Sequence, residues 1–373
     1  MRPHSIPLIG FAKTLYVMNI KSVLITGGAG FVGSNLAVLF RRSLPDVSVT
    51  ALDSLKRRGS ELSLPRFREA GVRFHHGDIR CTEDLEGLPP FDLLIDCSAE
   101  PSVQAGLDGS PRYVLETNLA GSINCLELAR ARGSAFLFLS TSRIYPIAPL
   151  NALAHDEDET RFRWRDEPGV PGFSASGIAE GFPLDGARSF YGASKLACEQ
   201  LIQEYVYSYG LRALINRCGV LAGPWQMGKV DQGVMTLWVA RHFFGRPLSY
   251  IGFGGLGKQV RDVLHVEDLF DLILLQIASP ERWDGRVYNV GGGNDVSVSL
   301  QELTELCVRE TGRRVPISSK PETSNVDLRI YVTDSRKAEA DFPWRPTRPP
   351  ARIVGDIRRW IEEHRETLQD ILS

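Results

Sequence analysis

Two hydrophobic rhythms alternate along the first half of the chain. Short runs in which nearly every position is apolar cover residues 22–26, 47–52, 72–75, 93–97 and 136–140, and read as buried strands. Between them the apolar residues recur at helical spacing, over 34–44, 82–88 and 111–132, where Val114, Leu115, Leu119, Ile123, Leu126 and Leu128 share a face. Strands buried on both faces, alternating with crossover helices, predict an α/β fold with a doubly wound parallel sheet.

Past residue 145 the rhythm breaks. Residues 146–190 are rich in Pro, Gly, Ala and charge, and read as a long insert, a lid or a disordered loop. A helix is expected over 189–209 and a sixth strand over 211–215. Glycine, proline and aromatics then thicken, which marks a second, smaller lobe. Helices at 266–277, 299–311 and 352–372 and a strand at 286–289 complete the pattern. The expected division is an extension over 1–17, a nucleotide-binding domain over 18–220 with a return segment at about 262–291, and a second lobe from 221–261 and 292–373.

Composition narrows the class. The chain has 373 residues, 43 Lys+Arg against 45 Asp+Glu, and a formal charge of −2, which argues against a protein that coats nucleic acid. No apolar run approaches the ~18 residues of a membrane span. Six scattered cysteines with no CxxC pair read as reduced thiols in a cytoplasmic protein, with no metal site. Residues 1–17 hold Arg2, His4 and Lys13 and no acid, and Met18 looks like a second start.

Gly27, Gly30 and Gly33 form GxxGxxG directly after the first strand and at the start of a helix. Such glycines let the backbone turn tightly and approach a pyrophosphate, which the helix N-terminus favours. Phe31 and Val32 within the turn, and Ser98 and Ala99 after the fourth strand, are further cofactor candidates. Asp53 ends the second strand, placed to accept from both ribose hydroxyls and to repel a 2′-phosphate, so NAD is favoured. Arg57 and Arg58 nearby could receive that phosphate and keep NADP open. Asp78 and Ile79 close the third strand, where adenine would lie.

Tyr191 and Lys195 form YxxxK on a helix, one turn apart on one face. An ammonium beside a phenol favours phenolate, so Tyr191 reads as a general base. A hydroxyl from Ser140, Thr141 or Ser142, at the carboxyl edge of the fifth strand, can hold the reacting oxygen. Asn118 is a candidate orienter of the site, or an ordinary polar helix residue.

These residues carry a resemblance. TGGAGFVG at 26–33, Ser140-Thr141, YGASK at 191–195, RDVLHV at 261–266 and YNVGG at 288–292 resemble the extended short-chain dehydrogenase/reductases of the nucleotide-sugar epimerase and dehydratase group. That resemblance implies a Rossmann fold with a small α/β substrate lobe, tightly bound NAD, and Thr141 as the hydroxyl partner of Tyr191 and Lys195. The strings at 216–233, 183–189 and 329–334 resemble the CDP-paratose 2-epimerase (CDP-tyvelose epimerase) branch. The branch implies C2 epimerisation of a CDP-hexose through a 2-keto sugar. A 4-epimerase of another nucleotide sugar, or a net NAD(P)-dependent oxidoreductase, is the alternative.

Substrate contacts are expected from Ser142, Arg143, Arg217, Lys229, Gln232 and Tyr331, with Arg261 and Arg329 on the pyrophosphate. Dehydratases of the group carry Asp-Glu after the catalytic Thr; here Ser142 and Arg143 stand there, which disfavours dehydration. Val220 replaces the Asn with which many relatives touch the nucleotide. The helices at 119–132 and 191–209 resemble the pair that dimerises in the family, implying a homodimer or homotetramer.

Overall fold

The computed structural model describes residues 20–228 and 232–372. The expected 1–17 extension and Lys229 lie outside the described residues. Seven strands form the main sheet: β1 (Ser22–Thr26), β2 (Ser48–Asp53), β3 (Arg73–His76), β4 (Leu93–Asp96), β5 (Ala135–Thr141), β6 (Ala213–Cys218) and β7 (Asp284–Val290). Their order is β7-β6-β5-β4-β1-β2-β3, and every pairing is parallel. The order reverses between β1 and β4, the crevice where such sheets bind ligands. This is the doubly wound Rossmann sheet.

Helices cover both faces. On one, α1 (Phe31–Ser43) packs against a later helix, Val266–Ile277, with Phe40 edge-on to Phe270 at 5.1 Å. On the other lie α2 (Gly121–Arg132) and α3 (Phe190–Tyr209), whose Leu126, Cys198 and Ile202 bury against β4, β5 and β6. The helix expected over 111–132 is interrupted: Glu116–Ala120 forms a π-turn between two α segments. The helix expected over 352–372 breaks at His364, giving Pro350–Glu363 and Arg365–Leu372.

The smaller lobe is α/β with its own apolar cluster, built from Val234–Phe244, Leu300–Thr311 and Pro350–Glu363 around Trp238, Leu303, Ile357 and Trp360. Ser299 starts Leu300–Thr311 with a capping box: its hydroxyl accepts from Glu302 N–H at 3.1 Å, and Glu302 accepts from Ser299 N–H at 2.9 Å. Strand Val260–His265 ties this lobe together, pairing with Val220–Ala222, Ser297–Ser299 and Ile330–Tyr331.

The insert is ordered rather than a loose loop. It holds a short helix, Ile147–Ala152, and two hairpins, His155–Glu157 with Phe162–Trp164 and Phe173–Ser174 with Gly177–Ile178. Phe173, Ile178 and Phe182 bury against Tyr145 and Tyr331, so sparse but well-placed aromatics anchor a segment whose composition reads as a loop. No helix among the described residues is long and apolar enough to cross a membrane.

Candidate active site

A cleft of about 740 Å³ opens at the carboxyl edge of the sheet. The ends of β2 and β3 bring Asp53 and Asp78 to one end; β5 and α3 bring Thr141 and Tyr191 to the other.

The glycine turn fits a dinucleotide. Gly27 has φ +60, and a Cβ there would lie 2.8 Å from the Cys97 carbonyl oxygen; on Gly33 it would lie 2.3 Å from the Gly27 oxygen. The Gly30 N–H closes the turn on Gly27 O at 3.0 Å, and no side chain caps α1, which leaves its N-terminal dipole for an anion. Phe31 and Val32 line the cleft here. Gly28, which the GxxGxxG spacing passes over, is as constrained: its Cβ would sit 2.8 Å from Ile25 O. Three of these glycines are therefore needed, Gly28 where the turn passes β1 and β2, Gly27 against the chain that leaves β4, and Gly33 against the turn itself.

Asp53 accepts from Ala29 N–H at 3.0 Å and Leu55 N–H at 2.8 Å. Burial pushes its carboxyl above the usual range, opposed by those N–H groups. Asp78 is ion-paired with Arg80 at 2.6 Å, which holds it low. Asp78, Ile79, Ser98 and Ala99 all line the cleft, as does Tyr113, whose ring has the Lys56 ammonium 3.4 Å from its centroid. Arg57 and Arg58 are bound across to the second lobe: Arg57 donates to Gln232 and to Met227 O (3.1 Å), and Arg58 to Asp370 O (3.2 Å). Both arginines also line the cleft, and these bonds draw them toward the second lobe.

At the reacting end, Ser189 caps α3 by accepting from Gly192 N–H at 3.2 Å. Gly192 lets the helix approach β5: a Cβ there would lie 2.1 Å from Arg143 O. This contact brings Tyr191 to the cleft that Thr141 also lines. Lys195 is 2% exposed, its ammonium 3.4 Å from Ser98 O and 4.3 Å from the Phe138 ring centroid. Thr141 Oγ1 accepts from Arg143 N–H at 3.2 Å.

Asn118 is fully buried in the π-turn, a feature frequent at functional sites. Its Oδ1 accepts from Glu100 N–H (2.7 Å), and its Nδ2 donates to Glu100 O (3.1 Å) and Ser194 Oγ (3.2 Å). It locks the loop after β4 to α3. Ser140, by contrast, is spoken for: its hydroxyl donates to Glu199.

The expected substrate residues divide. Ser142, Arg143 and Gln232 line the cleft. Arg217 does not; it lies in the core, ion-paired with Glu199 of α3 at 2.7 Å, because β6 is covered by β5 and β7 on either side and its Arg217 side chain meets α3. Arg261 is likewise engaged, donating to Asp327 (2.9 Å) and Leu328 O (2.6 Å). Arg329 lines a different cavity with His155, Glu157, Phe162 and Phe253, its guanidinium 5.2 Å from the Phe253 ring centroid. Tyr331 is buried against Tyr145, ring centroids 6.2 Å apart. Glu100 lines the cleft without having carried any local signal, and Trp225 and Met227, from the string at 216–233, line it too. Trp225 adopts φ +70, which costs a bulky residue on the order of 1–3 kcal/mol. Arg66 stacks 4.1 Å from its centroid, and Trp360 packs beside it at 5.6 Å.

Comparison with known proteins agrees with this geometry. The model of the NAD dependent epimerase/dehydratase family matches residues 23–291. CDP-paratose 2-epimerase of Salmonella typhi is 31% identical over 87% of this chain and 94% of its own. The solved UDP-glucose 4-epimerase of Thermus thermophilus, in complex with NAD, is 27% identical, covers 91% of this chain and 99% of its own, and has a TM-score of 0.69. The dTDP-glucose 4,6-dehydratase DesIV of Streptomyces venezuelae, a double mutant with NAD bound, is 27% identical over 94% and 99%, with a TM-score of 0.74. The chain belongs to the NAD dependent epimerase/dehydratase family, with NAD as its cofactor.

Proposed function

We propose that the protein inverts C2 of a CDP-hexose of the paratose/tyvelose type by oxidising that carbon and reducing it again. The observation that carries this reading is the pair after Thr141. Ser142 and Arg143 line the cleft there, so neither position offers a carboxylate for the acid/base work of eliminating water. The Salmonella typhi relative supports the choice of sugar and carbon.

Tyr191 takes the proton of the sugar 2-hydroxyl while Thr141 holds that oxygen. Lys195, one helical turn on, brings its positive charge to the same face. NAD, when bound, supplies the hydride acceptor and, within the same cycle, the donor. Tyr191 returns the proton once the ketone has presented its other face. Arg143 replaces Arg261 and Arg329 as the candidate for a phosphate oxygen. Burial, then the neighbouring Arg261, lowers its pKa to about 10, and an anion brought to this place is attracted. The smaller lobe holds the nucleotide in this scheme; its strand Val260–His265 moves the boundary expected at 261 to about 265. Self-association through α2 and α3 belongs to the same reading; Tyr207 on α3 is 89% exposed.

The test is a panel of CDP-, UDP-, GDP- and dTDP-hexoses in deuterated water, with products read by NMR. Inversion at C2 of a CDP-sugar without solvent deuterium at C2 is expected. Inversion at C4, loss of water, or stoichiometric NADH would overturn the assignment.

A further inference from the structure

One wall of the cleft is closed by contacts that the reaction does not use. Residues 54–66, which follow β2, meet residues 224–227 and 232 of the second lobe. Arg57 carries the meeting, donating from one Nη to the Met227 carbonyl at 3.1 Å and from the other to the Gln232 side-chain oxygen. Gln232 then donates through Nε2 to Glu100 Oε1 at 3.1 Å, on the loop after β4. Arg57, Gln232 and Glu100 all line the cleft, so a chain of side-chain hydrogen bonds joins its three walls.

The packing around this chain is tight. A Cβ on Gly59 would lie 2.7 Å from Met227 Cγ. Pro224 O accepts from Asn35 Nδ2 of α1 at 3.0 Å, which ties the same segment to the helix that follows the glycine turn. Asp53, Ser54 and Lys56 border the cleft beside these groups, so widening that end requires parting Arg57 from the second lobe.

We propose that Arg57, Gln232 and Glu100 form an interlobe clasp that governs how slowly the dinucleotide leaves. Each bond can be exchanged for one to water, so the clasp slows exit without forbidding it. All three bonds are charge-assisted, with the Arg57 guanidinium as donor in two and the Glu100 carboxylate as acceptor in the third. A cofactor that ends each cycle in its starting redox state has no need to exchange, so slow exit is compatible with turnover. The inference rests on dinucleotide binding and is independent of which sugar is used.

The full-length protein is loaded with isotopically labelled NAD, desalted, and chased with unlabelled NAD while release is followed. Gln232→Ala and Arg57→Met, which each remove two bonds of the clasp, should each release label about tenfold or more faster than the parent. Both should leave gel filtration with substoichiometric NAD. Arg314→Ala, which breaks only an exposed pair with Glu305, should keep the parent rate. If Arg57→Met does not fold, Gln232→Ala decides alone. Parent-rate release from Gln232→Ala overturns the clasp. So does an Arg57→Met protein that loses affinity for NADP while releasing NAD at the parent rate, because Arg57 would then be a phosphate receiver.

Discussion

Glu199 and Arg217 form a buried ion pair behind the strand that ends in Thr141. Arg217 Nε lies 3.1 and 3.0 Å from the two carboxylate oxygens, and Nη2 lies 2.7 Å from Oε2. Glu199 is 1% exposed and Arg217 5%. The Ser140 hydroxyl donates to the same carboxylate, and Arg217 Nη1 donates to the Tyr145 hydroxyl at 3.1 Å. Removing one partner of such a pair costs about 3–5 kcal/mol, because the other is left buried and charged. Arg217→Met should therefore lower the melting temperature sharply, and Glu199→Met in the same protein should recover much of the loss. Thermal denaturation of both single variants and the double variant measures the coupling. A single Arg217 variant of parent stability with a raised KM would make Arg217 a substrate contact instead.

Tyr191→Phe should cut turnover by about 10²–10⁴-fold, the usual worth of a positioned general base. NAD should stay bound, since the backbone cradle at Gly27–Gly33 is untouched. Product formation by NMR and NAD released on denaturation check the two halves separately.

Gly33→Ala should abolish NAD binding, measured by calorimetry. Its Cβ would meet the Gly27 carbonyl at 2.3 Å, a backbone atom that cannot step aside without opening the turn. Gly133→Ala is the matched contrast. Nothing lies within 4 Å of its Cβ, but φ is +64, so about 1 kcal/mol of stability should be lost with NAD binding intact.

Asp262 should give the protein a distinctive pH response. Its carboxylate accepts from Gly292 N–H (2.9 Å) and Gly293 N–H (3.3 Å), but full burial pushes its pKa up to about 6. In the unfolded chain the group ionises near pH 4. Between those values the folded state binds the extra proton, so the contribution of this group to stability falls as pH rises from about 4 to 6. Asp262→Asn keeps an acceptor and removes the titration. Relative to that variant, the parent should lose up to about 3 kcal/mol across this window and nothing further above it. Urea denaturation of both proteins at several pH values checks the sign.

Which residues would line the cleft beside the glycine turn was legible because their signals are local. A glycine that must turn, a carboxylate at a strand end and two side chains one helical turn apart are set by neighbours in the chain. Asn118 was visible as a residue but not as a π-turn anchor, since its partners Glu100 and Ser194 are 18 and 76 positions away. The insert misled for a related reason: Phe173, Ile178 and Phe182 are too few to set a period, and their burial depends on Tyr145 and Tyr331.

The sequence by itself determined the alternation of strands and helices in the main sheet, the glycine turn with Asp53, and the placing of Tyr191 and Lys195 one turn apart on a helix that borders the cleft. Backbone sterics and periodicity act over a few residues and leave their pattern in the chain. Only the tertiary structure decided what each arginine does. A guanidinium reads the same in a sequence whether it meets a ligand phosphate, Glu199, Asp327 or an aromatic ring. Arg143 and Arg57 reached the cleft, the first also donating to Val326 O and the second drawn across to Gln232, while Arg217, Arg261 and Arg329 were taken by protein partners outside it. Long flexible side chains go to the charge or ring that the packed lobes bring within reach, and that choice exists only after the chain has folded.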